Sequence, residues 1–122
     1  MPARPPRLKQ RREFRRVAEK GRRAARPGLV LQALPAPDRP LRVGFTTTKK
    51  IGNAVVRNRA RRRLREAARL LLAGSGIEGF ELVLIGRDAT ATRDFAALVG
   101  DLRGALRQAG VQPAEQPAEA AP

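Results

Sequence analysis

Residues 48–69 read Thr48-Lys-Lys-Ile-Gly-Asn-Ala-Val-Val-Arg-Asn-Arg-Ala-Arg-Arg-Arg-Leu-Arg-Glu-Ala-Ala-Arg69, and this stretch decides the architecture. Wound as a helix at about 100° per residue, it puts Val56, Ala60, Leu64, Ala67 and Leu71 on one face. Asn58, Arg62, Arg65 and Arg69 share the opposite face, Arg61 lies beside them, and Arg57, Arg59 and Arg63 sit on the flanks. One side is suited to rest on a sheet, and the other displays guanidinium groups about one turn apart. Like charges at i, i+4 destabilise an isolated helix, and only Glu66 offsets them locally. A polyanion that neutralises the row explains it better than a merely solvated face. Lys49 and Lys50 precede the helix, and Gly52 lets backbone approach a phosphate there. The spaced glycines and Lys-Ser/Thr ending of a P-loop are missing.

The flanking sequence supplies the layer beneath that helix. Lys9 to Lys20 reads as a short helix with Phe14, Val17 and Ala18 on one side, ended by Gly21. Gly28 to Leu34 is a strand halted by Pro35, Pro37 and Pro40, and Leu41 to Thr47 is a second. The long helix runs from Asn53 to Ala73 and closes at Gly74-Ser-Gly76. Glu81 to Gly86 is nearly all apolar, the mark of a strand buried on both faces. Thr92 to Ala109 is a helix, with Thr92 as its cap, Asp94 in its first turn and Phe95, Leu98, Val99, Leu102 and Leu106 facing the core. Strand, long helix, strand is a βαβ pattern. The class is α+β, a small two-layer sandwich on a mixed sheet of about four strands, with the helices expected on one face.

Composition narrows the function. The chain has 122 residues, 42% of them apolar, which suits one modest domain. It holds 26 basic and 11 acidic residues, for a net charge of +15. Arg accounts for 22 of the basic residues and Lys for 4, a bias that an arginine-rich genome produces by itself, although such a genome does not explain the net charge. The charge is uneven: residues 1–27 carry net +9 and residues 49–69 net +8, whereas residues 80–110 are neutral. Two segments are therefore suited to anions, and the last third builds the fold. Residues 1–7 hold three Pro and residues 111–122 are mostly Pro, Ala, Glu and Gln, so both ends are expected to be disordered around a domain at 8–110. No apolar run approaches the roughly 20 residues of a membrane span, and the start lacks a secretory pattern, so cytoplasmic residence is expected.

Chemistry is constrained by what is missing. With no Cys and no His, the chain has no thiol nucleophile, no Cys-ligated zinc site and no imidazole base. The acids are scattered, and no pair has convincing metal-ligand spacing on a defined element. No residue is assigned a catalytic or metal-ligating role.

The stretch from Lys49 to Arg59, followed by Arg61-Arg-Arg-Leu-Arg-Glu66, resembles the Arg-Asn-Arg signature of the bacterial ribonuclease P protein subunit. The flanks agree: Leu8-Lys9, Glu13 to Val17 and Gly21-Arg22 are similar to the family's opening helix, Arg42 to Thr46 to its strand before the signature, and Gly79 to Arg87 to its strand after it. The resemblance covers about residues 8–110. It implies an α-β sandwich with a left-handed βαβ crossover, and a protein that helps a large catalytic RNA remove the 5′ leader of precursor tRNA. It implies that Arg57, Asn58, Arg59, Arg61, Arg62, Arg65 and Arg69 contact the catalytic RNA, and that a cleft between the sheet and the first helix holds the single-stranded leader. It also implies that hydrolysis belongs to the RNA partner, with Mg2+ bound mainly by RNA phosphates. Membrane and DNA are not expected partners.

A groove for single-stranded RNA wants cations along the backbone and flat surfaces for bases. Arg11, Phe14, Arg15, Arg42, Phe45, Thr46, Lys49, Lys50 and Arg87 are the leader-binding candidates. Phe14 fits the first aromatic of the family's opening helix. Ala18 stands where a second aromatic is often found, and Leu29 to Gln32 stand where the strand aromatic often lies. Phe14 and Phe45 each suit either stacking or core packing, and Phe80 and Phe95 suit the core. Two other readings remain open: a ribosomal or ribosome-assembly protein, and a major-groove DNA binder, for which no dimerisation heptad is seen.

Overall fold

The computed structural model describes residues 4–113. Its elements are α1 (Arg11–Lys20), β1 (Arg22–Arg26), β2 (Leu29–Pro35), β3 (Arg42–Thr46), α2 (Ala54–Leu72), β4 (Phe80–Gly86) and α3 (Phe95–Gln108), with a 3-10 turn at Lys49–Ile51. The sheet order is β1-β2-β4-β3. β1 and β4 both run antiparallel to β2, and β3 runs parallel to β4 across the α2 crossover. The α+β class on a mixed four-stranded sheet is therefore observed.

Alternation along the strands separates two cores. Leu29, Leu31 and Ala33 of β2, Leu82 and Leu84 of β4 and Val43 of β3 pack with Leu64, Ala67, Ala68 and Leu72 of α2 and Leu98, Leu102, Ala105 and Leu106 of α3. The opposite sheet face presents Val83 to Val17 of α1 and to Leu8, with Phe14, Leu34 and Ile85 around them. The expectation that all helices share one face is thus corrected: α2 and α3 cover one face and α1 the other. Both faces of β4 are covered, which is why its sequence is almost entirely apolar.

Local chemistry explains the remaining differences. β1 has no apolar alternation, and only Ala24 within it is buried. It forms because Pro27-Gly28 closes a two-residue hairpin that pairs Arg26 with Leu29 and Arg22 with Ala33. Asn53 caps α2 by accepting from the Val56 N–H at 3.0 Å. For α3 the cap is Asp94, which accepts from the Ala97 N–H at 3.2 Å, whereas Thr92 sits in the preceding turn. Backbone hydrogen bonds are also made just outside residues 8–110. The Pro6 carbonyl accepts from the Val43 N–H, and the Leu8 N–H donates to the Val43 carbonyl, each at 3.0 Å. Val111 is buried, and its N–H closes onto Leu106 over Gly110, whose φ is 78°. The rest of the expected tails, residues 1–3 and 114–122, lies outside the described residues.

The capping correction has a direct check. Asp94→Ala leaves the Ala97 N–H without its acceptor and should lower unfolding free energy by about 1 kcal/mol. Thr92→Ala should change it by under about 0.5 kcal/mol. Urea denaturation of the two variants separates the assignments, and the reverse ranking would restore Thr92 as the cap.

Candidate RNA interface

Between α1 and its face of the sheet runs an open groove of about 630 Å3. Lys9, Arg11, Phe14, Arg15 and Ala18 form one wall, and Gln32, Val83, Ile85, Phe45 and Thr46 form the floor and far side. No acidic residue lines it. Gly44 makes the groove shape: a Cβ there would stand 2.6 Å from two Phe14 ring atoms, so only glycine lets the ring lie on β3. Phe14 is half-buried, packed toward Val17 and Val83 with part of its ring open to the groove. Phe45 faces the α2 side and packs on the main core, although it also reaches the groove edge. Phe80 and Phe95 pack against the core as expected.

Of the nine leader-binding candidates, Arg11, Phe14, Arg15, Phe45 and Thr46 come together here. Four do not line the groove. Lys49 and Lys50 are exposed on the 3-10 turn, and Arg87 lies past the end of β4, donating to the Arg26 carbonyl at 2.9 Å. Arg42 shares the groove face with Gly44 and Thr46, but its guanidinium is taken by Glu81 at 2.6 Å and Glu13 at 2.9 Å. Lys9, Ala18, Gln32, Val83 and Ile85 were not among the candidates. The alternation of β2 and β4 signals the last three, but only once the face covered by α1 is known.

The Arg42 contacts belong to a network that holds α1. Glu81, on β4 and fully buried, accepts from Arg16 of α1 at 2.5 Å and from Arg42 at 2.6 Å. Burial pushes the Glu81 carboxyl up, but the hydrogen bonds of Arg42 and Arg16 outweigh it and hold the carboxyl below its usual range. The hydrogen bond to Glu81 likewise raises Arg42. Glu13 also accepts from the backbone N–H groups of Lys9 and Gln10, both at 3.0 Å. Those bonds, with Arg42, lower its carboxyl to about 2.

On the other side of the sheet α2 presents its basic row. Asn58, Arg59 and Arg62 are exposed, and Arg62 and Arg65 have no hydrogen-bond or ion-pair partner among the described residues. Arg57 donates to the Gly52 carbonyl at 2.9 Å, and Arg61 bridges Asn58 and the Thr47 hydroxyl, the latter at 2.8 Å. Arg69 pairs with Glu66 at 2.6 Å on the surface. Arg63 is structural: it donates to the carbonyls of Thr90 and Arg93 and lies over Phe95. Burial lowers Arg65, and the charges of Arg7, Arg61, Arg4 and Arg62 lower it further. The row is therefore crowded with uncompensated positive charge. Among the described residues no three His, Cys, Asp or Glu side chains gather as a metal site. The donor set does not fit Mg2+, since Glu13 and Glu81 are committed to arginines. No helix among the described residues is long and apolar enough to cross a membrane.

A basic groove on one sheet face and an arginine row on the other define a small, strongly basic α+β protein. Comparison with known proteins narrows this class. The family model described as Ribonuclease P matches residues 2–110. The chain is 63% identical over 110 residues to the ribonuclease P protein component of Gluconacetobacter diazotrophicus, covering 89% of this chain and 95% of that one. It is 47% identical over 125 residues to the ribonuclease P protein component of Paramagnetospirillum magneticum, covering 98% and 94%. Its fold matches the solved RNase P protein of Staphylococcus aureus with a TM-score of 0.74 at 27% identity, covering 86% and 95% of the chains. The RNase P protein of Thermotoga maritima gives 0.72 at 26%, covering 84% and 96%. The chain belongs to the ribonuclease P protein family. Its role is that of the protein subunit of ribonuclease P, an RNA-binding protein of tRNA processing, and nothing in the comparisons favours a ribosomal protein.

The α1 network sets a pH dependence. A carboxyl held at about 2 when folded, against an ordinary 4.5, adds stability that is fully present above pH 4.5 and is lost as pH falls through about 2. Glu13→Gln should therefore be less stable than the wild type at pH 7, and the gap should close steadily below pH 4.5 in urea melts. A gap of constant size down to pH 3 would remove Glu13 from the network.

Proposed function

We propose that this chain joins its two polyanion surfaces in one act of catalysis. The α2 row of Arg57, Asn58, Arg59, Arg61, Arg62, Arg65 and Arg69 docks the catalytic RNA of ribonuclease P. The α1 groove receives the single-stranded 5′ leader of precursor tRNA. The RNA carries out the endonucleolytic hydrolysis, and Mg2+ is held by RNA phosphates; the protein assists in the cytoplasm by binding and orientation.

The observation that carries this reading is the groove itself. It is open along its length, lined by Lys9, Arg11 and Arg15 with no carboxylate, and floored by apolar side chains and one half-buried ring. That combination suits an extended strand whose phosphates meet cations while its bases lie on a nonpolar surface. Ala18 and Gln32 leave Phe14 as the main stacking surface, so Arg11 and Arg15 carry more of the leader affinity and Gln32 offers an amide that donates and accepts at a base edge.

Reconstitution tests the whole reading. Adding the chain to the ribonuclease P RNA of the same organism at low Mg2+ should restore leader removal, and Arg59→Ala with Arg62→Ala should weaken RNA binding and flatten its salt dependence by about 0.7–0.9 in log–log slope per lost phosphate contact. No gain in cleavage at any Mg2+ concentration would overturn the assignment. For the groove, Phe14→Ala should weaken precursor tRNA binding to the holoenzyme by roughly 1–3 kcal/mol while leaving mature tRNA unchanged. Equal losses for both would return Phe14 to a packing role.

A further inference from the structure

The N-terminal segment brings cations to a place that already has too many. Its backbone runs along the outer edge of β3, joined to Val43 through Pro6 and Leu8. Before Leu8 only Pro5 is half-buried, and Arg4, Pro6 and Arg7 are exposed. The result is that Arg4 and Arg7 stand beside Arg65 and Arg69 of α2. With Pro5, Val43, Phe45 and Ala68 they enclose a slot of about 30 Å3. Four of its eight lining residues are arginines, and none is acidic. The nearby carboxylate, Glu66, gives both oxygens to Arg69, at 3.1 and 2.6 Å. Arg7 lies over the Phe45 ring, 5.6 Å from its centroid, which keeps its guanidinium at the mouth of the slot.

Gathering like charges round a nonpolar floor costs electrostatic energy in the free protein. Burial and the charges of Arg7, Arg61, Arg4 and Arg62 all lower Arg65, which records that cost. A chain that sets four arginines against the single carboxylate of Glu66 is shaped for an anion that comes from outside. The slot is narrow, and its charged lining is arginine throughout, so the group that suits it is a small anion rather than a base. A guanidinium offers a planar fork of donors that suits phosphate oxygens, and arginines line this slot from both the N-terminal segment and α2.

We propose that Arg4, Arg7 and Arg65 form a phosphate-binding site of their own, which takes one backbone phosphate of the catalytic RNA at the junction of the N-terminal segment and α2. The inference rests on the reading that α2 docks that RNA, because Arg61 and Arg62 connect the slot to the outer row. It gives residues 4–7 a role in assembly. The segment is a second strand of the RNA interface, laid across the sheet edge.

The test uses the full chain and the ribonuclease P RNA of the same organism, with binding measured across a range of KCl concentrations. Arg4→Gln with Arg7→Gln should weaken binding about tenfold and lower the log–log salt slope by about 0.7–0.9, as expected for one lost phosphate contact. Arg4→Gln alone should give a smaller change of the same sign. The melting temperature of the free double variant at low salt should hold or rise, because repulsion is relieved. A fall in melting temperature with an unchanged salt slope would make the segment a packing strap and overturn the site. So would an unchanged slope in the double variant while Arg59→Ala with Arg62→Ala flattens it, a result that leaves the α2 reading intact. An unchanged slope in both pairs would overturn the α2 reading and this site with it.

Discussion

The arrangement of this protein depends on one buried carboxylate. α1 is ten residues long and buries a single side chain fully, Val17, so hydrophobic contact alone holds it weakly. Glu81 supplies the rest. Standing on β4 beneath α1, it binds Arg16 from the helix and Arg42 from β3, and Arg42 returns to Glu13 in the first turn of α1. A buried charge is costly unless its partners are well placed, and both of its oxygens here have an arginine within 2.6 Å. Such a network adds little net stability compared with apolar packing. Its value is positional, since α1 can satisfy Glu81 and Glu13 together only at one height and rotation on the sheet. That position aims Phe14 over Gly44 and lines Arg11 and Arg15 along the groove.

The same residue type does two kinds of work in this molecule. Some arginines are neutralised or bonded: Arg16 and Arg42 by Glu81, Arg93 by Asp101, Arg22 and Arg26 by carbonyls of the α3 segment. Along α2 and the N-terminal segment they are crowded together. A basic side chain with a partner builds the fold, and one without a partner waits for an anion. Residues 80–110 balance four basic against four acidic residues, whereas the excess that gives the chain +15 is concentrated in residues 1–27 and 49–69.

Most of the fold was legible because its signals are periodic. The segregation of Val56, Ala60 and Leu64 from Asn58, Arg62 and Arg65 predicts α2 almost to its observed ends, and the apolar run from Leu82 to Ile85 predicts a doubly covered strand. β1 was not legible, because Arg22-Arg-Ala-Ala-Arg26 has no apolar face and owes its strand form to the hairpin partner. The position of α1 opposite the other helices was equally hidden, since amphipathicity states that a helix has a core side but not which sheet face receives it. Arg42 shows the limit for site residues. Strand alternation places it correctly beside Thr46, yet its role is decided by Glu81, its partner across the β3–β4 register. The N-terminal segment gave no signal, because backbone pairing at a sheet edge leaves no side-chain pattern.

The two proposed RNA surfaces lie on opposite faces of the sheet, and they meet at the end of β3. Thr46 lines the groove, and Thr47 next to it receives the Arg61 hydrogen bond from α2. The chain then turns through Lys49–Ile51 and passes Gly52, whose φ of 144° places it where a Cβ would press on Val56 at 2.9 Å, before α2 begins. The carbonyl of Gly52 is held by Arg57. Short, tightly bonded backbone therefore joins the wall of the leader groove to the first turn of the arginine row. In the proposed division of labour this matters more than the separation of the faces. A protein that assists an RNA catalyst must fix the leader relative to the RNA, and a mobile hinge between the two surfaces would forfeit that advantage. The exposed pair Lys49 and Lys50 sits on this same bend, outside the groove and ahead of the row.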